Sequence, residues 1–274
     1  MKALAILGLC LVVSCAAILP SPASPSARPR RLLGSAHTSF AKGDIGLALD
    51  LARQAEHEAT GFDDQETRIE AILARAGMYR WLAYNDSARA AAEYGTSVAK
   101  DAGFACLEAD GHILLWGIAL TTGSEPAPAA QTLRRMCKST LFRCRLRFME
   151  ARAALVSGDV AASGHYLRRP RNIPRAARAE VDQEHRFLLA WMNSVRGLHT
   201  KARIYGERVL AVDRLTGAKP AIVDDLLLLA RIHRSSGDTA HARDCVERAI
   251  KVLKSLRPQT LVERRIRHAR ALLS

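Results

Sequence analysis

Residues Ala230–Leu253 read "ARIHRSSGDTAHARDCVERAIKVL". A stretch of helical apolar periodicity stops at Gly237-Asp238, and a second begins with Ala242, five residues beyond the glycine. A helix that must reverse direction ends best on a residue with left-handed backbone, which glycine supplies. An Asp just after it accepts the orphan N–H groups at the start of the next helix. The pattern returns in Phe40–Glu56, "FAKGDIGLALDLARQAE", and in Leu155–Leu167, "LVSGDVAASGHYL". Aligned on the turn, the equivalent positions are Gly43, Ala83, Gly123, Gly158, Gly197 and Gly237, in steps of 40, 40, 35, 39 and 40. Two helices per step of this length predict an α-solenoid: an all-α fold of about six antiparallel helix hairpins. Thr260–Leu273, "TLVERRIRHARALL", is predicted as a final helix that caps the open end.

The small residues inside each step sharpen the pattern. The sixth unit has Ala230, Ala242 and Ala249 around its turn; the first has Ala36, Ala48 and Ala55. The second has Ala76, Tyr79, Ala88 and Gly95, and the fifth has Ala190 and Ala202. Small side chains are needed where paired helices approach most closely. The units resemble tetratricopeptide (TPR) repeats over about Leu32–Ser274. The third departs from the pattern, with Trp116 at the small position and Pro126 and Pro128 in its second helix; the fourth carries Ser163 where Ala is expected.

Composition agrees with packed helices. Aromatics make up only 5% of the chain, too few for a β-sandwich core. The net charge of +14 is unevenly spread. Leu32–Ala130 holds 7 basic and 14 acidic residues, Gln131–Arg178 holds 12 and 2, and Lys251 onward holds 7 and 1. Such asymmetry points to an anionic surface or to pairing between copies, so a homo-oligomer is one alternative; a solvated Arg-rich face is the other. Cys106, Cys137, Cys144 and Cys245 show no metal-ligand spacing and are expected as small buried filler.

At the N-terminus, Met1-Lys2 precedes the apolar run Ala3–Val13, long enough for a secretory signal and too short to span a bilayer. Val12-Val13-Ser14-Cys15 resembles a bacterial lipobox. That resemblance implies a signal peptide over 1–14, cleavage before Cys15, and a lipidated Cys15 that anchors the chain to the membrane. The competing reading is a cut near Ser21-Pro-Ala23 and a secreted, soluble protein. The Pro/Ser-rich segment 15–31 is expected as a semi-extended tether, with Arg28, Arg30 and Arg31 near anionic head groups. The repeat domain is expected over 32–274.

No HExxH, GxSxG, Walker A or GxGxxG motif occurs. His165, His185, His199 and His241 have no partner at helical metal spacing, and the acidic pairs Asp63-Asp64 and Asp224-Asp225 are expected as exposed helix-start charges. The expectation is therefore a protein with no catalytic residues, cofactor or metal. Resemblance to TPR arrays implies a groove lined by the first helix of each hairpin. Its candidate positions are Arg80, Trp81, Arg145, Arg152, Trp191, Arg231 and Arg234; Phe148 and Phe187 at such positions are expected as inter-repeat core. Arginines and aromatics dominate interface energy, although a solvated face explains the arginines equally. The implied role is a protein-binding adaptor for another envelope or periplasmic protein or peptide, without nucleic acid. The alternatives are a carrier of a small anionic or lipidic ligand and a basic surface for anionic lipid or cell-wall polymer.

Overall fold

The computed structural model describes residues 27–123, 128–168 and 173–272; the expected signal peptide over 1–14 and Cys15 lie outside them. Thirteen α-helices and no strand occupy the described residues. They are α1 (Arg28–Lys42), α2 (Ile45–Gly61), α3 (Gln65–Trp81), α4 (Asn85–Asp101), α5 (Ala105–Thr122), α6 (Ala130–Met136) and α7 (Thr140–Ser157). Then follow α8 (Val160–Tyr166), α9 (Arg178–Val195), α10 (His199–Thr216), α11 (Lys219–Ser235), α12 (Thr239–Lys254) and α13 (Gln259–Arg270). The chain is thus an all-α solenoid of helix hairpins with a closing helix. It divides into two compact units, one formed by residues up to Phe40 with Asp44–Leu146, the other by Ala41–Gly43 with Arg147 onward.

All six aligned turn positions have positive φ: Gly43 (88°), Ala83 (63°), Gly123 (74°), Gly158 (82°), Gly197 (73°) and Gly237 (83°). The Asp after the turn caps the next helix in three hairpins. Asp44 accepts from the Leu47 N–H, Asp159 from Ala162 and Asp238 from His241. The connections between hairpins use the same device at Asp63, Gly103 and Gly217.

In the first unit each helix from α2 to α5 packs on its successor, and α3 also touches α5. In the second, α9 to α13 do the same, and α9 touches α11. The small residues sit at these contacts. Ala36, Ala48, Ala55, Ala76, Ala88, Ala190, Ala202 and Ala249 are fully buried. A Cβ on Gly95 would stand 2.8 Å from Leu73 Cδ2 and 3.0 Å from Ile72 Cγ2. The weak third and fourth units are weak in structure too: α6 and α8 have only 7 residues each.

Two expectations are corrected. The helical body begins at Arg28, not after Arg31. Pro29 is tolerated there because the first helical N–H groups have no partner inside the helix. Arg28 pairs with Glu58 at 3.0 Å and Arg30 with Glu66 at 2.7 Å, so both bind the protein's own surface. Cys106 and Cys137 form a disulfide rather than serving as filler. They are 31 residues apart, and α6 returns along α5 to bring their Cα atoms within 4.7 Å. Cys144 and Cys245 are buried, as expected.

A left-handed backbone costs an L-residue about 1–2 kcal/mol, and Ala83 carries that strain where its counterparts are glycine. Ala83→Gly should raise stability by up to about 1 kcal/mol, read as a higher urea midpoint; a lower midpoint would show that Ala83 is not strained. Closing a 31-residue loop stabilises by about 3–4 kcal/mol in the chain-entropy picture. The double variant Cys106→Ser/Cys137→Ser should therefore unfold at lower temperature, and dithiothreitol should shift the parent protein but not the variant.

Candidate functional site

In the second unit a series of charged and polar side chains lies largely buried between neighbouring helices and between helices one repeat apart. Arg152 on α7 reaches α9, where its Nε and Nη2 donate to Glu184 Oε1 at 3.1 and 2.5 Å. The same guanidinium lies 5.4 Å from the Phe187 ring centroid, within cation–π range. Gln183, beside Glu184, donates to the Val209 carbonyl at 2.9 Å and to Asp213 Oδ1 at 3.1 Å, both on α10. On α11, Asp225 hydrogen-bonds Asp213, while Asp224 accepts from Arg265 of α13 in a pair with no solvent access on the arginine side.

The electrostatics follow from burial. Desolvation, then the neighbouring Asp213, pushes the Asp225 carboxyl well above the usual carboxylate range. Asp213 is raised too, chiefly by desolvation, although its bonds to Asp225 and Gln183 oppose the shift. Two such acids in contact are held together by a shared proton, because two bare carboxylates there would repel. Near Arg265 the cations crowd instead. Burial and the Arg265 charge lower Arg231 to about 10. Burial, helped by Arg265 and Arg231, lowers His268 to about 4. Leaving one partner of a buried pair alone costs about 3–5 kcal/mol, so Asp224–Arg265 fixes how α11 and α13 meet.

The first unit uses the same construction. Arg145 on α7 approaches Asp110 on α5 at 3.4 Å. Desolvation raises Asp110, and the Arg145 charge opposes this. Arg30 on α1 reaches Thr67 and Glu66 on α3 at 3.1 and 2.7 Å. Partners in the arginine–carboxylate pairs are 32 to 41 residues apart, about one repeat.

The candidate groove residues take different places. Arg80 is 6% exposed, and Trp81 is fully buried with its ring edge-on to Phe40 at 5.6 Å. Arg145 and Arg152 are held by carboxylates of the preceding and following hairpins. Trp191 is half-buried, Arg231 joins the cationic corner, and Arg234 donates to the Leu272 carbonyl at 2.7 Å. Phe148 and Phe187 are buried, as expected of core. Engagement of Arg145 and Arg152 also lowers the free charge of the basic segment Gln131–Arg178.

Asp224 and Asp225 are 4% and 2% exposed, contrary to the expected exposed helix-start charges. Lys219 and Pro220 begin α11, so this pair falls in its second turn, facing two different neighbours. Asp64, by contrast, is a helix cap that accepts from the Thr67 N–H at 3.1 Å. Sequence spacing assigns no metal companion to His241, yet the fold brings His233 and Asp238 beside it. No protein-family model matches the chain, and no curated protein is significantly similar to it.

The raised Asp225 has a pH consequence. A carboxyl raised by folding contributes stability that is full below its unfolded value, about 4, and is lost as pH rises through its folded value. Asp225→Asn keeps the shape and needs no proton. The variant should melt a few degrees above the parent near neutral pH, with the gap closing toward about pH 4. A gap that does not vary with pH would remove the protonated carboxyl.

Proposed function

We propose that this chain is a lipid-anchored protein of a bacterial envelope, whose TPR-like solenoid is an adaptor that docks another envelope protein. The observation that carries the reading is the succession of helix hairpins turned at left-handed residues about 40 apart. Such arrays present long surfaces of side chains from successive repeats, which suits recognition of proteins and extended peptides. The Cys106–Cys137 disulfide supports export, since disulfides persist in oxidising compartments outside the cytosol. Among the described residues no helix is long and apolar enough to cross a membrane, so the anchor falls to Cys15 and its acyl chains.

The buried arginine pairs move the docking surface away from the candidate arginines and toward exposed apolar side chains. Ile204, Val212 and Leu215 on α10 are 41, 37 and 89% exposed. At about 100° per residue they span roughly 80° of the helix circumference. An apolar strip of this kind is where a partner gains most by excluding water.

A second reading rests on an open hollow of about 630 Å³ along α12 and α13, lined by Lys254, Gln259, Glu263, Ile266, Arg267 and Arg270. Three cations against one carboxylate favour an anionic head group or cell-wall polymer. Vesicle binding that falls steeply with salt supports it, and salt-independent binding excludes it.

Mass spectrometry of the mature N-terminus tests the anchor: an acylated Cys15 is expected, and a free N-terminus beyond Ala23 would overturn it. Cys15→Ser should shift the protein from the membrane to the soluble fraction. Cross-linking in intact envelopes tests the adaptor. A defined partner is expected whose yield falls in Leu215→Asp, and an array that cross-links to nothing while remaining folded argues against docking.

A further inference from the structure

The turn of the sixth hairpin gathers three metal-ligating side chains from both of its helices. His233 stands in the last turn of α11, Asp238 follows Gly237, and His241 lies in the first turn of α12. Asp238 Oδ2 is 3.3 Å from His233 Nδ1 and 2.8 Å from His241 Nδ1. The two rings are stacked, centroids 5.2 Å apart and planes at 20°. One ligand atom from each residue falls within 4.8 Å of the other two.

We propose that His233, Asp238 and His241 form a binding site for a divalent transition-metal ion such as zinc. The donor set is suited to it. Two imidazole nitrogens and one carboxylate oxygen match the preferences of zinc and its neighbours rather than of calcium or magnesium, which take oxygen ligands. The carboxylate is already fixed. Asp238 Oδ1 accepts from the His241 backbone N–H at 3.2 Å as the helix cap, which leaves Oδ2 directed at both imidazoles.

The histidines differ in freedom. His233 is 12% exposed and positioned by α11, whereas His241 is 70% exposed and can swing. An ion about 2.0–2.1 Å from each donor needs donors about 3–3.5 Å apart. Because an imidazole lone pair lies in the ring plane, His241 has to turn out of the stacked arrangement for both rings to point at one ion, and its exposure leaves it room to do so. On binding, each Nδ1 turns its lone pair to the ion. Any proton it held leaves to solvent or moves to Nε2. Water completes the coordination on the exposed side, since among the described residues the cluster holds three protein donors. The ion clamps the end of α11 to the start of α12 and so stiffens the turn.

Without an ion the same residues act as a charge-assisted cap, with the His241 and His233 contacts lowering the Asp238 carboxyl. The experiment must separate the two. Zn2+ is titrated calorimetrically into the full, untagged chain, and melting is followed with and without Zn2+. One Zn2+ per chain and a raised melting temperature are expected. His241→Ala, on an exposed side chain, should keep the fold and weaken binding at least about tenfold while abolishing the thermal shift. His57→Ala, on the exposed face of α2, should bind as the parent does. Co2+ should give visible d–d bands without a thiolate charge-transfer band, which excludes Cys144 and Cys245 as ligands. Absence of binding, equal binding in His241→Ala, or a thiolate band would each overturn the site.

Discussion

Everything in this chain depends on its ability to reverse direction at fixed intervals. A helix cannot turn back within two residues unless one of them accepts a left-handed backbone. Six positions do so at the ends of first helices, five of them glycine and one, Ala83, an alanine held there against its preference. The reversal sets two helices side by side, which puts a demand on every residue at the contact. The buried alanines and Gly95 meet it by offering no bulk. Once hairpins stack, the first helices of neighbouring hairpins also become adjacent, and the buried charges find partners about one repeat away.

That hierarchy explains what could be read from the sequence. Turn glycines, capping aspartates and small residues are local features, and their spacing revealed the hairpins and even the left-handed Ala83. Arg145 and Arg152 were visible as positions on a first helix, but their carboxylate partners sit 35 and 32 residues away, on helices of the neighbouring hairpins. No periodicity in a single helix shows whether Arg152 faces solvent or Glu184. The disulfide was hidden for a similar reason, since Cys106 and Cys137 meet only because the short α6 returns along α5. Asp224 and Asp225 look like ordinary helix-start charges until α13 and α10 are placed beside them.

Buried polar groups in this protein constrain its geometry through the penalty for leaving one of them unpaired. Replacing a buried ion pair by well-packed apolar side chains is often neutral or favourable, whereas leaving one member alone is strongly destabilising. The Asp224–Arg265 pair, the Asp213–Asp225 acids and Arg152–Glu184 therefore act as penalties on wrong arrangements of α7, α9, α10, α11 and α13. A helical array held only by alanine and leucine contacts has many nearly equivalent ways to slide. Charges that tolerate a single neighbour remove those alternatives.

Arg265 also bears on how such an array can lengthen over generations. Repeat proteins gain units by tandem duplication, and the copied unit must present to its predecessor what the original end presented. One step of 40 residues back from Arg265 is Asp225. A second copy of the sixth hairpin would set that aspartate against Asp224 and strand both carboxylates away from water. The closing helix is thus more than a solvent-facing lid. Its buried arginine commits α13 to Asp224 of α11, so a hairpin inserted between them would have to bring an arginine of its own or change this residue pair.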